Sequence, residues 1–158
     1  MAKQFGSGAA FKTSVEARLR KRAKEQKVPF STLQLKFAME RLLARLFRNP
    51  NPPWLLKGGF AMDLRFRPQA RTTKDVDLAI GTITVGAGAK LTAVLRDWLQ
   101  EAADHDLGDY VSFPQKGGVH CQHNQEKFAG SRLLQCSSNM LYSLRSEHGD
   151  CSEHSRSY

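Results

Sequence analysis

Long apolar runs are missing from this sequence, and no cysteine occurs before residue 121. No segment approaches the roughly 18 apolar residues that cross a bilayer, so no membrane association is expected. The first residues, Met1 to Gly8, are not followed by the apolar segment of a secretory signal, which favours the cytoplasm. An odd number of cysteines without a Cys-x-x-Cys pair indicates neither a disulfide framework nor a compact zinc site.

Negative charge is scarce in the first third of the chain. Residues 1–50 hold twelve Lys or Arg against three Glu. Their net charge of +9 equals the net charge of the whole protein. A positive field concentrated in one region favours a polyanionic partner, and nucleic acid is the commonest polyanion in a cytoplasm. A solvated basic helix face is the alternative that the sequence leaves open.

At 158 residues the chain predicts one domain with a core of useful size. A basic helix is predicted from Val15 to about Lys27, with Ser14 as its cap. A second helix, capped by Ser31 and running to about Arg48, carries an apolar stripe made of Leu35, Met39, Leu42, Leu43 and Leu46. The helix pair could be a helix-turn-helix that reads DNA, but the apolar stripe favours packing against a sheet.

A pair of acids is the most informative feature of the middle of the chain. Side chains alternate along a strand, so Asp75 and Asp77 are predicted to share one face, opposite Val76, Leu78 and Ile80. The two carboxylates would lie about 7 Å apart along the strand and would raise each other's pKa unless a cation lay between them. Carboxylates plus substrate phosphates are the ligands that Mg²⁺ prefers. The pattern therefore predicts a metal-dependent phosphoryl- or nucleotidyl-transfer site, with a solvated strand face as the alternative.

A glycine pair lies upstream of these acids. Gly58 and Gly59 follow the apolar residues 54–56 and precede a helical pattern from Phe60 to Phe66. Glycines at a strand-to-helix turn let the backbone approach a phosphate closely, and the first amides of the helix then face the anion. A tight turn without a ligand is the alternative.

Farther along, a helix is predicted over 90–104 and a strand over 110–113.

The segment LLKGGFAMDLRFRPQARTTKDVDLAI, residues 55–80, resembles the signature of nucleotidyltransferases of the DNA polymerase β type. That signature has a glycine pair after an apolar residue, a spacer, and Asp-x-Asp between apolar residues. More narrowly, Lys-Gly-Gly-Phe-Ala followed by Arg-x-Thr-x-Asp-Val-Asp-Leu is similar to the AbiEii/AbiGii toxins of abortive-infection and toxin–antitoxin pairs. The similarity runs from about residue 11 to about residue 113.

The resemblance implies an α+β fold, with a small mixed β-sheet, flanking helices and a nucleotidyltransferase-like core. It implies transfer of a nucleotide from an NTP to a hydroxyl acceptor such as RNA, with Mg²⁺ or Mn²⁺ as cofactor and a cognate antitoxin as partner. Asp75 and Asp77 would be the catalytic acids and would hold the metal. From the residues themselves, Lys57, Gly58, Gly59, Arg71 and Lys74 are the candidates for binding the nucleotide. Lys57 could instead only flank the turn, and Arg71 and Lys74 could be ordinary exposed loop cations.

The composition changes after residue 113, which divides the chain into a partial nucleotidyltransferase-like domain, 1–113, and a polar tail, 114–158. The tail is rich in Ser, Cys and His and is predicted to be poorly ordered or non-native. Zinc binding or a Cys–His nucleophile there stays open, because no spacing selects either. Relatives of this type are expected to add a third carboxylate on a later strand, and no pattern of alternating apolar residues around an Asp or Glu occurs after Phe113. Inactivity through truncation at the C-terminus is therefore one expectation. A non-catalytic remnant that binds nucleotide, nucleic acid or antitoxin is the alternative.

Overall fold

The computed structural model describes residues 5–66, 73, 75–81, 90–113, 121–128, 131–136 and 143–144. These residues form four helices and six strands in the order α1 (Gly8–Gln26), α2 (Phe30–Leu46), β1 (Trp54–Lys57), α3 (Gly58–Arg65), β2 (Val76–Ile80), α4 (Leu91–Ala103), β3 (Val111–Ser112), β4 (Cys121–Phe128), β5 (Ser131–Cys136) and β6 (Ser143–Leu144). The predicted α+β class is confirmed. None of the helices in the described ranges is long and apolar enough to span a membrane.

Helix α1 begins earlier than the sequence predicted. Its cap is Ser7, whose hydroxyl accepts a hydrogen bond from the Ala10 amide at 3.2 Å. The predicted cap, Ser14, therefore lies inside the helix. Lys27 ends α1 in a left-handed conformation, with φ at 54°, and its amide bonds back to the last turn. Ala9 and Ala10 are strong helix formers, which explains why the helix extends back to Ser7.

Helix α2 supplies one wall of the core. Its predicted apolar stripe is confirmed, since Met39, Leu42 and Leu46 are almost fully buried. The helix begins at Phe30, directly after Pro29, and no side chain caps its start, so the predicted Ser31 cap is wrong. At its other end the Trp54 indole N–H donates to the Leu46 carbonyl at 2.8 Å. That bond satisfies one of the carbonyls that a helix end leaves without a partner.

The predicted order of strand, glycine turn, short helix and strand is confirmed in β1, α3 and β2. Strand β2 alternates as expected, because Val76, Leu78 and Ile80 are 0%, 0% and 2% exposed and form the apolar face. Strand β1 pairs antiparallel with β2 in a register that sets Lys57 opposite Asp77.

The larger sheet has the strand order β1-β2-β5-β4, and β3 pairs with β6 in a second, two-stranded sheet. A mixed sheet was expected, whereas every strand pair in the described part of the chain is antiparallel. Helix α4, predicted over 90–104, lies against α2 and buries Leu95, Leu99 and Ala103 at four-residue intervals.

Three strands fall within the segment predicted as a polar tail. Strand β5 pairs with β2 and strand β4 pairs with β5, so residues beyond 113 extend the central sheet. Strand β4, with the sequence CQHNQEKF, has little of the apolar alternation by which a strand is recognised. Its strand conformation therefore comes from pairing with β5 instead of a local pattern. The division of the chain at residue 113 stays a prediction.

A buried arginine ties α2 to the segment 109–113. The Arg45 side chain is 1% exposed and donates to the Asp109 carboxylate at 2.7 Å and to the Val111 carbonyl at 2.6 Å. Arg41 reaches the other oxygen of the same carboxylate at 2.6 Å. Burial would raise the pKa of Asp109, but the hydrogen bonds and charge of Arg45, the charge of Arg41 and the Val111 amide outweigh burial and lower it. The Asp109 charge is thus neutralised within the fold.

Candidate active site

Gly58 stands where β1 ends and α3 begins. Its φ of +64° is in the left-handed region that side chains rarely adopt. A Cβ on Gly58 would overlap the carboxylate of Asp77, with the Asp77 Cγ only 2.8 Å away. Both the backbone conformation and the available space therefore require glycine. The structure places the Asp77 carboxylate directly against the backbone of the glycine turn.

Gly59 makes the second close contact of the turn. A Cβ on Gly59 would lie 3.1 Å from the Cβ and 3.2 Å from the Oγ1 of Thr73. The same Thr73 hydroxyl accepts from the Asp75 amide and donates to the Asp75 carbonyl, each at 3.3 Å. Thr73 therefore joins the glycine turn to the segment that carries the acids. Thr73 was not identified as a site residue from the sequence. A Thr hydroxyl that bonds to the backbone two residues farther on forms a local side-chain turn, and Thr is one of the residues that favour it.

The two acids flank a fully buried residue of β2. Val76 is 0% exposed, while Asp75 and Asp77 on either side of it are half-buried. Because side chains alternate along an extended chain, both acids lie on the side away from the core. Burial raises the pKa of Asp77, the negative charge of Asp75 raises it further, and the positive charge of Lys57 partly opposes both. An anionic Asp75–Asp77 pair is therefore costly unless a cation binds it.

The start of α3 offers donors to an anion. The helix has no side-chain cap and no acid in its first turn, and Gly58 and Gly59 are exposed. Backbone amides at a helix start point outward along the axis, and the helix dipole favours negative charge there. This end of α3 can therefore accept a phosphate beside the acids.

The predicted site residues are brought together only in part. Lys57, Gly58, Gly59, Asp75 and Asp77 form one cluster around the start of α3. Arg71 and Lys74, predicted to bind the nucleotide, lie outside the described residues. Among the residues that are described, no group of three or more His, Cys, Asp or Glu side chains could hold a metal ion. The third carboxylate expected from the resemblance is therefore not found in that part of the chain.

Acids held against a glycine turn at a helix start are the arrangement expected of a phosphoryl- or nucleotidyl-transfer protein. The chain belongs to the family described as Nucleotidyl transferase AbiEii toxin, Type IV TA (toxin–antitoxin) system, whose model matches residues 41–139. The match contains β1, α3 and β2, and with them the whole cluster. Comparisons with curated proteins and with solved structures gave no match.

The extent of the family match differs from the extent predicted from the sequence. It begins at residue 41 instead of about 11, and it ends at residue 139 instead of about 113. Strands β4 and β5 therefore lie within the family region, although their composition had set them apart. Helix α1 and most of α2 lie before it, so the basic face of α1 is not covered by the match.

Proposed function

We propose that this protein is a metal-dependent nucleotidyltransferase that moves a nucleotide from an NTP to a hydroxyl acceptor on RNA. The observation that supports this most directly is the contact of Asp77 with Gly58, within a chain of the AbiEii toxin family. A close approach between a carboxylate and a glycine turn brings a cation site and a phosphate site within one ligand's reach. The cytoplasmic location stays a prediction from the sequence.

The residues present fit Mg²⁺ or Mn²⁺. Asp75 and Asp77 offer carboxylate oxygens, the donors that these ions prefer. A bound cation would offset the burial and the repulsion by Asp75 that raise the pKa of Asp77. These two acids would hold the ion. When bound, the ion supplies positive charge that offsets the charge developing on the transferred phosphate.

The other residues of the cluster bind and orient the nucleotide. The exposed amides of Gly58 and Gly59 donate to phosphate oxygens at the start of α3. Lys57, opposite Asp77 in the β1–β2 ladder, adds a positive charge on the same side of the sheet. Arg71 and Lys74 are proposed to neutralise the rest of the triphosphate. Thr73 keeps Asp75 in place through its hydroxyl.

Helix α1 is the proposed contact for the acceptor. Its basic side chains at Arg18, Arg20, Lys21, Arg22 and Lys24 are all exposed. Two of them form ion pairs with Glu16 and Glu25 at 3.8 and 3.9 Å, but such exposed pairs are weak and screened by salt. The surface therefore stays strongly positive, which suits a phosphate backbone.

The type IV toxin–antitoxin family also supports a cognate antitoxin as partner.

The test is transfer of label from NTPs to bulk RNA in the presence of Mg²⁺ or Mn²⁺. The wild type is compared with Asp77→Ala and with Asp97→Ala, a control that removes an exposed acid on α4. We expect transfer by the wild type and by Asp97→Ala, and its loss in Asp77→Ala. Retention of RNA by all three proteins that weakens with salt, without transfer by any, would contradict the proposal and identify a non-catalytic binding protein.

A further inference from the structure

Helix α3 carries the glycine turn but is too short to be stable alone. It has eight residues, and isolated helices below about 12 to 15 residues are marginal in water. Its orientation therefore depends on contacts with its surroundings. Any contact that fixes the axis of α3 also fixes where Gly58 meets Asp77, because Gly58 is its first residue.

Two contacts on one side of α3 provide that control. Phe60 is 2% exposed and belongs to the core cluster that includes Met39 of α2. Asp63 follows three residues later, on the same side of the helix. Its carboxylate accepts a hydrogen bond from the Lys36 amine of α2 at 2.5 Å. The apolar and the ionic contact thus lie one turn apart along α3.

The ion pair differs from those on the outside of α1. Its side chains are 30% and 13% exposed, whereas Lys21 and Glu25 of α1 are 80% and 58% exposed. Partial burial reduces screening by water and salt, so the attraction between Lys36 and Asp63 is stronger than that between the exposed charges of α1. On the other side of α3, Met62 and Phe66 are 50% and 54% exposed, so that side gives little support.

We propose that Lys36 and Asp63 are a positioning pair that fixes the axis of α3 and so keeps the Gly58–Gly59 turn against Asp77. The inference rests on the proposed function, because the turn matters for nucleotide binding only if it binds phosphate. Lys36 precedes the family match at 41–139, so the match does not cover this contact. Neither residue touches the reacting groups; both act through the position of α3.

The test uses the full chain in three variants. Lys36→Met removes the ion pair and keeps much of the apolar stem. The double variant Lys36→Asp, Asp63→Lys reverses the charges and can restore the pair. Lys90→Met removes an exposed lysine outside the cluster and serves as the control. Amide hydrogen exchange at residues 61–65, the hydrogen-bonded amides of α3, and binding of an NTP with Mg²⁺ are measured for each, with thermal unfolding to follow global stability.

We expect Lys36→Met to speed exchange at 61–65 by about fivefold or more and to weaken NTP binding to a similar degree. Exchange in α4 should stay unchanged. The charge reversal should recover most of both effects, and Lys90→Met should resemble the wild type. Unchanged exchange at 61–65 in Lys36→Met would overturn the inference. The inference would also be overturned if the charge-reversed protein exchanged as fast and bound NTP as weakly as Lys36→Met, because the pair would then not act through its charges.

The two proposals fail in different ways. If the wild type neither binds NTP nor transfers label, the proposed function is wrong, while the exchange data still decide whether the ion pair holds α3. If the wild type transfers label and Lys36→Met exchanges and binds like it, only the positioning inference is wrong.

Discussion

Asp77 and Asp109 are half-buried carboxylates with opposite electrostatic surroundings. Burial raises the pKa of each. At Asp109 the bonds and charges of Arg45 and Arg41 reverse that effect, and the pKa lies below its ordinary value. At Asp77 the neighbouring Asp75 adds to it, Lys57 opposes it only partly, and the pKa lies above its ordinary value.

The difference separates a structural acid from the acid to which a function is proposed. The fold neutralises Asp109 with its own arginines, so the charge stabilises the contact between α2 and the segment 109–113. The charge of Asp77 is not compensated by the sum of its neighbours, which supports the proposed binding of a cation there. Perturbed carboxylates of the second kind are typical of active sites. Substitution of Asp109 should therefore lower the stability of the fold, whereas substitution of Asp77 should remove nucleotide binding without lowering stability.

The largest effect is expected from Asp109→Ala. The substitution leaves Arg45 buried without its carboxylate, and removing one partner of a buried pair costs about 3 to 5 kcal/mol. Urea unfolding measures the loss. Asp77→Ala is the matched comparison and should not lower the free energy of unfolding. If both variants lost the same stability, the distinction between the two acids would be wrong.

Next in size is the effect of an alanine at a glycine with positive φ. Gly58 and Gly108 have φ of 64° and 65°, so Ala at either should cost about 1 to 2 kcal/mol from the backbone alone. Nothing lies within 4 Å of a Cβ at Gly108, whereas at Gly58 it meets the Asp77 carboxylate. Gly58→Ala should therefore be the less stable variant and should lose NTP binding, while Gly108→Ala keeps it.

The double variant Gly58→Ala, Asp77→Ala sharpens this result. Removing the Asp77 carboxylate removes the overlap with its Oδ2 and Cγ and leaves a tight contact with Cβ at 3.1 Å. The stability should therefore return most of the way to the level of Gly108→Ala, while NTP binding stays lost. Equal stability of Gly58→Ala and Gly108→Ala by urea unfolding would argue against the close approach of Asp77 to the turn.

A smaller effect is expected in the dependence of stability on pH. The lowered pKa of Asp109 stabilises the fold fully above the ordinary value of 3.8, and this stabilisation is lost as the pH falls through the lowered pKa. Asp109→Asn should therefore flatten the acid side of the stability curve, measured by urea unfolding at a series of pH values. An unchanged slope on the acid side would mean that the pKa of Asp109 is the same in the folded and unfolded states.

The smallest effect is expected from Asp77→Asn without divalent ions. The raised pKa means that ionisation of Asp77 destabilises the fold as the pH rises through that pKa, so a neutral amide should stabilise it near neutrality. Because Asp77 is partly exposed, the gain should stay below about 1 kcal/mol. Thermal unfolding with and without Mg²⁺ measures it, and Mg²⁺ should stabilise the wild type but not the variant. A loss of stability in the variant would be the contrary result.

The sequence predicted the features that depend on local patterns. The burial of Val76, Leu78 and Ile80 followed from strand alternation, and the glycine turn followed from its apolar flanks. The start of α1 was missed because Ser7 and Ser14 are both acceptable caps. Strand β4 was missed because its conformation comes from pairing with a distant segment.

Contacts between distant residues could not be predicted from local patterns. Arg45 and Asp109 are 64 positions apart, and Lys36 and Asp63 are 27 apart, so no local pattern joins them. The contact of Thr73 with Gly59 likewise depends on how β2 returns beside α3. Only the folded chain brings these partners together.

The most direct test of the central claim is a calorimetric titration of an NTP with Mg²⁺ into the wild type and Asp77→Asn. The amide has nearly the same shape as the carboxylate, so the substitution removes the charge and leaves the glycine turn in place. Binding by the wild type that requires Mg²⁺ and is lost in Asp77→Asn is the predicted result. Equal binding by both proteins, or binding that does not depend on Mg²⁺, would contradict a cation site at Asp77.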